Sequence, residues 1–442
     1  MADSDDGKMG IWMTSALVVG TIIGAAIFML PVSLAPLGRN AVIGWLVSGF
    51  GMLCVAFALA RLSQCGGDGI QANIERQFGP TVGFLVAWSF WVSNWVALAS
   101  LAIAVGSTLS FIGPPFGGPA SVVPVAITSV VILTAYNAIG ARAVGGLQIL
   151  TVAIKVLPLL AVISLLFERG ASGAGYQALA PAAVTFANIA AATAMTFYAL
   201  TGFESATAPV CKVRDPERTL PRAIFGGTVF VVLLYMLAGT GIQLLLPVDV
   251  IVASPAPFAD ALASRWGHGA ASLAALAIAV SAIGCLNGLI LVTGELGYSM
   301  ALRGDLPSVM TRTRGANTPY FSQIVGSVLC ILLVFANSSR STADLYTFII
   351  LLSTAAIVLL YFAGAFVAWK ASSTVGSRSV VVVAILFLAF GTYGTGLEAD
   401  LWCIALLAVG LAIRAAMRRF NSSAETNLPA VAIPVAPPGS SA

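Results

Sequence analysis

Two charged side chains lie inside segments that are otherwise apolar. Lys155 follows Ile154 in the middle of one such run, and Glu204 lies just past Gly202 in another. A charge at membrane depth costs at least about 2.5 kcal/mol by insertion scales, so such residues are functional by default. An amine held away from water can release and rebind a proton. The sequence therefore makes Lys155 a candidate for proton coupling and Glu204 a candidate gate or proton-coupling residue.

Structural roles compete with these functional ones. A lysine can extend its side chain to the water interface, but Lys155 lies about 8 residues, or about 12 Å, inside its segment. Glu204 could instead form a hydrogen bond that packs two helices together. Glu295 lies nearer the end of its apolar segment, where solvation at the interface is the simpler explanation.

Two apolar segments are interrupted by small and polar residues. The first runs from Gly20 to Pro31 and the second from Thr196 to Ser205. A break in a helix frees backbone N–H and C=O groups, which must be satisfied, and a substrate cavity is one place to do so. The N-terminus of a half-helix suits a carboxylate, and a C-terminus suits an ammonium. Taken singly, each break could also serve small-residue helix packing.

The composition shows what kind of protein must position these groups. Of 442 residues, 59% are hydrophobic and 9% are charged, against about 25% charged in an average soluble domain. The mean hydropathy is +0.98. These values exclude an ordinary soluble protein, a disordered chain, a nucleic-acid binder and a disulfide-stapled domain. The sequence predicts an all-α polytopic protein whose surroundings are a lipid bilayer.

Chemistry of other kinds is not indicated. The six cysteines form no CxxC pair and the only histidine is His268, so we expect neither a metal nor any other cofactor. The chain has no Walker, HExxH or GxSxG motif, and we do not expect an enzyme. A net charge of +4 is too small to indicate a nucleic acid as partner.

We predict about twelve membrane-spanning segments, each needing about 20 apolar residues. They are 11–35, 41–62, 81–112, 120–138, 147–167, 184–209, 222–246, 269–300, 319–337, 344–369, 379–397 and 400–417. Most of the 21 Lys and Arg residues fall on the side that holds both termini, which makes both termini cytoplasmic. The breaks then fall in the first and sixth spans, as expected for a transporter built on an inverted repeat.

Several motifs resemble one known family. They are Gly24-Ala25-Ala26-Ile27-Phe28, Thr201-Gly202-Phe203-Glu204-Ser205, the loop from Arg214 to Ile224, and Arg303-Gly304-Asp305-Leu306-Pro307. Together they resemble the amino acid–polyamine–organocation superfamily, and within it the bacterial basic amino acid/polyamine antiporters of the arginine/agmatine type. The resemblance extends to about Arg419.

The resemblance implies a fold and a domain organisation. The fold would have two inverted five-helix repeats in a LeuT-like core, spanning 11–167 and 184–369, followed by two helices in 379–417. Residues 1–10 would form a cytoplasmic N-terminus, and 420–442 a disordered cytoplasmic tail. The location would be the inner, cytoplasmic membrane. A homodimer is a candidate assembly.

The resemblance also implies a function and a site. The protein would move amino acids or related amines by alternating access. The substrate would lie between the two breaks, against Ile22, Gly24, Ala25, Ala26, Asn94, Tyr198, Thr201, Gly202 and Leu289. Lys155 and Glu204 would serve as gate or coupling residues.

Departures from the family pattern leave the mechanism open. Ala26 stands where the family has a second glycine, Leu289 replaces an aromatic residue, and Phe90 would narrow the pocket. Lys155 resembles a subset of the superfamily in which a lysine takes the place of a sodium ion and contacts the unwound part of the first helix. We therefore expect it to donate hydrogen bonds to the carbonyls freed by the first break, and protons are candidate partners. Exchange and proton symport both remain, with a channel or a nutrient sensor as remote alternatives.

Overall fold

The computed structural model describes residues 10–62, 69–113, 117–139, 144–203, 213–314, 318–372 and 374–426. The secondary structure of these residues is almost entirely helical. The helices are α1 (Ile11–Ile22), α2 (Ala26–Leu34), α3 (Arg39–Leu62), α4 (Gly69–Ile112), α5 (Val122–Ile139), α6 (Val144–Ala171), α7 (Phe186–Ala199), α8 (Pro216–Leu245), α9 (Val248–Ala253), α10 (Pro257–Leu302), α11 (Tyr320–Ala336), α12 (Thr342–Ala371) and α13 (Val375–Thr426).

Within the described ranges, six helices are long and apolar enough to cross a membrane, judged by length and composition. A seventh span results if α1 and the helical stretch Ala26–Leu37, which meet at 47°, count as one bent span. Shorter apolar helices, Val122–Ala138 and Tyr320–Ala336, coincide with two further predicted spans. Each predicted segment overlaps a helix, although 184–209 extends past the end of α7 at Ala199 into residues outside the described ranges. The prediction of an all-α polytopic membrane protein is confirmed.

Three long helices each contain one glycine with non-helical backbone angles. Gly79 has φ 84° and ψ 171° in α4, and Gly267 has φ 81° and ψ 172° in α10. Gly396, with φ 82°, divides α13. Glycine adopts positive φ without a steric penalty from a Cβ atom. The kinks at Gly79 and Gly267 come just before the third and eighth predicted spans. The kink at Gly396 lies near the predicted boundary between the last two spans.

The site is positioned by helices that pack around α4. This helix lies between α10 and α12, while α1 packs on α8 and α7 packs on α3. Helix α2 of the first broken span contacts α4, and Tyr198 of α7 bonds Ser100 of α4. The buried interior consists largely of alanine, valine, leucine and isoleucine side chains, and the small alanines among them allow close approach of helix backbones.

One buried ion pair connects the last helix to the segment after α10 and to α4. Arg414 of α13 donates from Nε to Asp305 Oδ1 at 2.7 Å and from its terminal nitrogen to the carbonyl of Pro80, also at 2.7 Å. Its guanidinium lies 4.8 Å from the ring centre of Phe84. The side chains of Arg414 and Asp305 are only 5% and 14% exposed. The pair thus joins α13, the segment after α10, and the break in α4.

The chain ends differ in part from expectation. Helix α13 continues to Thr426, past the predicted start of the tail at residue 420. The remainder of the predicted tail, 427–442, lies outside the described residues, as do residues 1–9 of the predicted cytoplasmic N-terminus.

Candidate functional site

The first break separates α1 from α2. Helix α1 ends at Ile22, Ile23 has non-helical angles (φ −70°, ψ 87°), and α2 begins at Ala26. The N–H of Gly24 bonds back to the carbonyl of Ile22 at 2.7 Å. The first N–H groups of a helix lack intrahelical acceptors and carry partial positive charge. The start of α2 can therefore receive an anionic group.

Two tyrosines hold the carbonyl groups at this break. Tyr235 of α8 donates its hydroxyl to the carbonyl of Ile22 at 3.2 Å, and Tyr346 of α12 donates to that of Ala26 at 2.7 Å. Both rings are fully buried. Buried tyrosines usually bond their hydroxyl, but the sequence does not show to which partner. These residues were missed by sequence reasoning.

The second break follows α7. The helix ends at Ala199, and the side chain and N–H of Thr201 both bond the carbonyl of Tyr198, at 2.7 and 3.2 Å. Gly202 then adopts φ +114°. A Cβ on Gly202 would lie 2.5 Å from the carbonyl oxygen of Thr21. The two breaks are thus in direct backbone contact. Gly202 permits this contact because it has no Cβ atom.

A cavity of about 320 Å³ lies between the two breaks. It is lined by nine of the predicted site residues, namely Ile22, Gly24, Ala26, Asn94, Lys155, Tyr198, Thr201, Gly202 and Leu289. Ala25 does not line it, because this residue is fully buried between two neighbours that face the cavity. A role for Ala25 in the site stays a prediction. Glu204 lies outside the described residues.

Helix α4 supplies polar groups to this wall. The hydroxyls of Ser100 and Tyr198 are 2.5 Å apart, which fixes the tyrosine ring from α4. Asn94 donates its amide nitrogen to the carbonyl of Phe90 at 2.7 Å, within the same helix. Phe90 also lines the cavity, as expected from its position. Ser100 is a supporting residue that sequence reasoning missed.

Lys155 differs from its neighbours in the wall. It lies eleven positions into α6, is 1% exposed, and lines the cavity. Among the residues that the structure describes, none forms a hydrogen bond or ion pair with its Nζ. We had expected the lysine to donate to the carbonyls at the first break. The tyrosines take the two carbonyls described above instead.

Other reactive groups lie elsewhere. Glu295 is exposed, beyond the part of α10 that lines the cavity. Over the described ranges, no cluster of three or more His, Cys, Asp or Glu side chains could hold a metal ion. One thiol, that of the partly exposed Cys285, lines the cavity.

Comparison with known proteins agrees with this architecture. The family model for amino acid permeases matches residues 9–424. The putrescine transporter PotE of Haemophilus influenzae is 27% identical over 416 residues, which cover 89% of this chain and 93% of the relative. The cadaverine/lysine antiporter of Escherichia coli K12 is 26% identical over 347 residues, covering 76% and 77%. A Bacillus subtilis protein, provisionally named an arginine/ornithine antiporter, is 27% identical, covering 82% and 84%.

The family match covers nearly all of the described helices, including both broken spans and the helices that wall the cavity. Its members are permeases, which move solutes and do not convert them. This chain belongs to the amino acid permease family of the amino acid–polyamine–organocation superfamily and is a membrane transporter, not an enzyme.

Proposed function

We propose that this protein is a secondary active transporter that exchanges amino acids or related amines by alternating access. The observation that carries the proposal is the cavity between two helix breaks in backbone contact. Freed backbone groups at such breaks bind substrate in transporters of this design. Relatives named as a putrescine transporter and as a cadaverine/lysine antiporter support this solute class.

The geometry suggests how an amino acid would be held. Its carboxylate would meet the N–H groups at the start of α2, near Ala26. Its amine would meet the carbonyl end of α7, near Ala199, because helix C-termini carry partial negative charge. Tyr198 and Leu289 would cover the side chain. We propose the remaining predicted site residues, Ile22, Gly24, Asn94, Thr201 and Gly202, as the rest of this contact surface.

We further propose how the chain sits in the cell. The positive-inside distribution of Lys and Arg favours a cytoplasmic membrane with both termini inside. Matching breaks in the first and sixth spans, and matching glycine kinks before the third and eighth, support two five-helix repeats within 11–167 and 184–369. The helices in 379–417 would follow them, and a homodimer is the assembly that we would test first.

Cys285 provides a direct test of the site. In a variant that keeps this cysteine and replaces the other five, methyl methanethiosulfonate should modify the thiol. A bound substrate that fills the cavity should slow the modification about 10-fold at ten times its dissociation constant, because about one site in eleven is then free. We would test each standard amino acid, putrescine and cadaverine in turn. An Arg418→Cys variant, with its thiol on the exposed part of α13, should show no protection.

Modification of Cys285 at one rate, whatever the compound added, would contradict this placement of the site.

Tyr198 offers a second prediction. Tyr198→Ala should raise the apparent dissociation constant of the protecting compound about 3- to 30-fold, which reflects about 0.5–2 kcal/mol of lost contact with the ring. Tyr198→Phe and Ser100→Ala each remove the same hydrogen bond, so their effects should be small and equal. The measurement is a Cys285 protection titration. An effect of Tyr198→Phe as large as that of Tyr198→Ala would assign the role to the hydroxyl.

Proton symport is the second candidate mechanism. Burial of Lys155 in the cavity wall without a described partner favours it, because protonation of the lysine could bias the two access states. Glu204 would be the alternative coupling residue. Liposomes that contain no internal substrate separate the mechanisms. An imposed pH gradient should drive accumulation only in a symporter, whereas an exchanger needs internal substrate.

A further inference from the structure

Lys155 is the only charged residue among the described residues that line the cavity. The other described lining residues carry hydroxyl, amide, thiol, aromatic, aliphatic or backbone groups. An ammonium removed from water is costly unless an opposite charge or several hydrogen bonds compensate it. The described part of the protein supplies neither to Nζ. A ligand that enters the cavity with a negative charge would supply this compensation.

The start of α2 adds positive electrostatic potential to the same cavity. Gly24 and Ala26 line the cavity where α2 begins, and the N-terminus of a helix carries about half a positive charge. The cavity thus presents two positive features, one on α6 and one on α2. Their combined preference is for a ligand that carries negative charge.

We propose that Lys155 is the counter-ion of the substrate carboxylate and makes the cavity select amino acids over the amines formed by their decarboxylation. This inference rests on the proposed function and narrows its substrate class. A diamine offers no group that compensates the lysine and places a like charge in the same cavity. Selectivity of this kind works by repulsion of the wrong ligand as well as by attraction of the right one.

The size of the effect follows from the bond that is gained. A charge-assisted hydrogen bond between ammonium and carboxylate is among the stronger polar contacts in proteins. Its loss should lower affinity roughly 10- to 100-fold. The wild-type protein should therefore bind an amino acid at least about 10-fold more tightly than the matching amine.

The experiment pairs a change in the ligand with a change in the protein. In each ligand pair the two members differ only by a carboxylate. The pairs are L-lysine and cadaverine, L-ornithine and putrescine, and L-leucine and 3-methylbutylamine. The protein pair, both with Cys285 as the single cysteine, has either the wild-type lysine or Lys155→Met, a neutral side chain of similar length. Affinity is read from Cys285 protection for all compounds. Lys155→Met should weaken amino-acid binding and remove the preference, while Lys155→Arg should keep it.

Two results would overturn the inference. One is a wild-type protein that binds the amine as tightly as the amino acid, a result that needs no variant. The other is a folded Lys155→Met protein that keeps the wild-type preference for the amino acid over the amine. The lysine would then be structural, because its replacement would not change the discrimination between the two ligands. If the preference is absent but exchange is measured, the proposed function stands and the role of Lys155 falls. If none of the compounds binds, both fall.

Discussion

Gly202→Ala is expected to reduce transport at least about 10-fold, because the φ of +114° costs a residue with a Cβ about 1–3 kcal/mol. The added methyl would also lie 2.5 Å from the Thr21 carbonyl, which is backbone and cannot rotate away. The two breaks would have to separate, and the cavity between them would change shape. The initial rate of uptake into proteoliposomes measures the effect.

Gly226→Ala is the matched control. No atom lies within 4 Å of a Cβ at Gly226, which is an interior position of α8. Alanine favours a helix interior over glycine by about 0.5–1 kcal/mol, so uptake should be unchanged and stability equal or higher. Wild-type uptake by Gly202→Ala would show that close contact of the breaks is not required.

Arg414→Ala should be the most destabilising single change at the α13 contact. Removal of one partner from a buried pair leaves an uncompensated charge, here on Asp305, at a cost of about 3–5 kcal/mol. The carbonyl of Pro80 would also lose its donor. Denaturant unfolding of the purified protein measures the difference. Arg418→Ala, on the exposed side of the same helix, should change stability by less than about 0.5 kcal/mol.

A double variant sharpens this prediction. If the cost arises from the stranded carboxylate, then Arg414→Ala combined with Asp305→Ala should be more stable than Arg414→Ala alone. Strictly additive losses would mean that Arg414 acts through its contacts with Pro80 and Phe84 and not through the ion pair.

The parts of the fold that hydropathy controls were predictable from sequence. Long apolar segments must be helical in a bilayer, because their backbone groups have no other partners. Small residues between Gly20 and Pro31 marked the first break, and those around Gly202 the second. Predicted starts at residues 81 and 269 fall just after the kinks at Gly79 and Gly267.

Contacts between distant segments could not be predicted in the same way. The hydroxyl of Tyr346 meets the carbonyl of Ala26 across 320 residues of sequence, and neither residue carries a local signal of the other. Ala25 is buried while Gly24 and Ala26 line the cavity, and a motif does not show which residues of an irregular turn face a cavity. Lys155 lies in the wall of the cavity, but its expected hydrogen bonds depend on competition with tyrosines from α8 and α12.

Counterflow in proteoliposomes tests the central claim most directly. The vesicles hold the purified protein and are preloaded with the unlabelled compound that best protects Cys285, and the same compound, radiolabelled, is added outside. We predict uptake that rises transiently above its equilibrium level in loaded vesicles and stays low in empty ones. Equal uptake with and without internal compound, as a channel would give, or binding without uptake, as a sensor would give, would contradict the account.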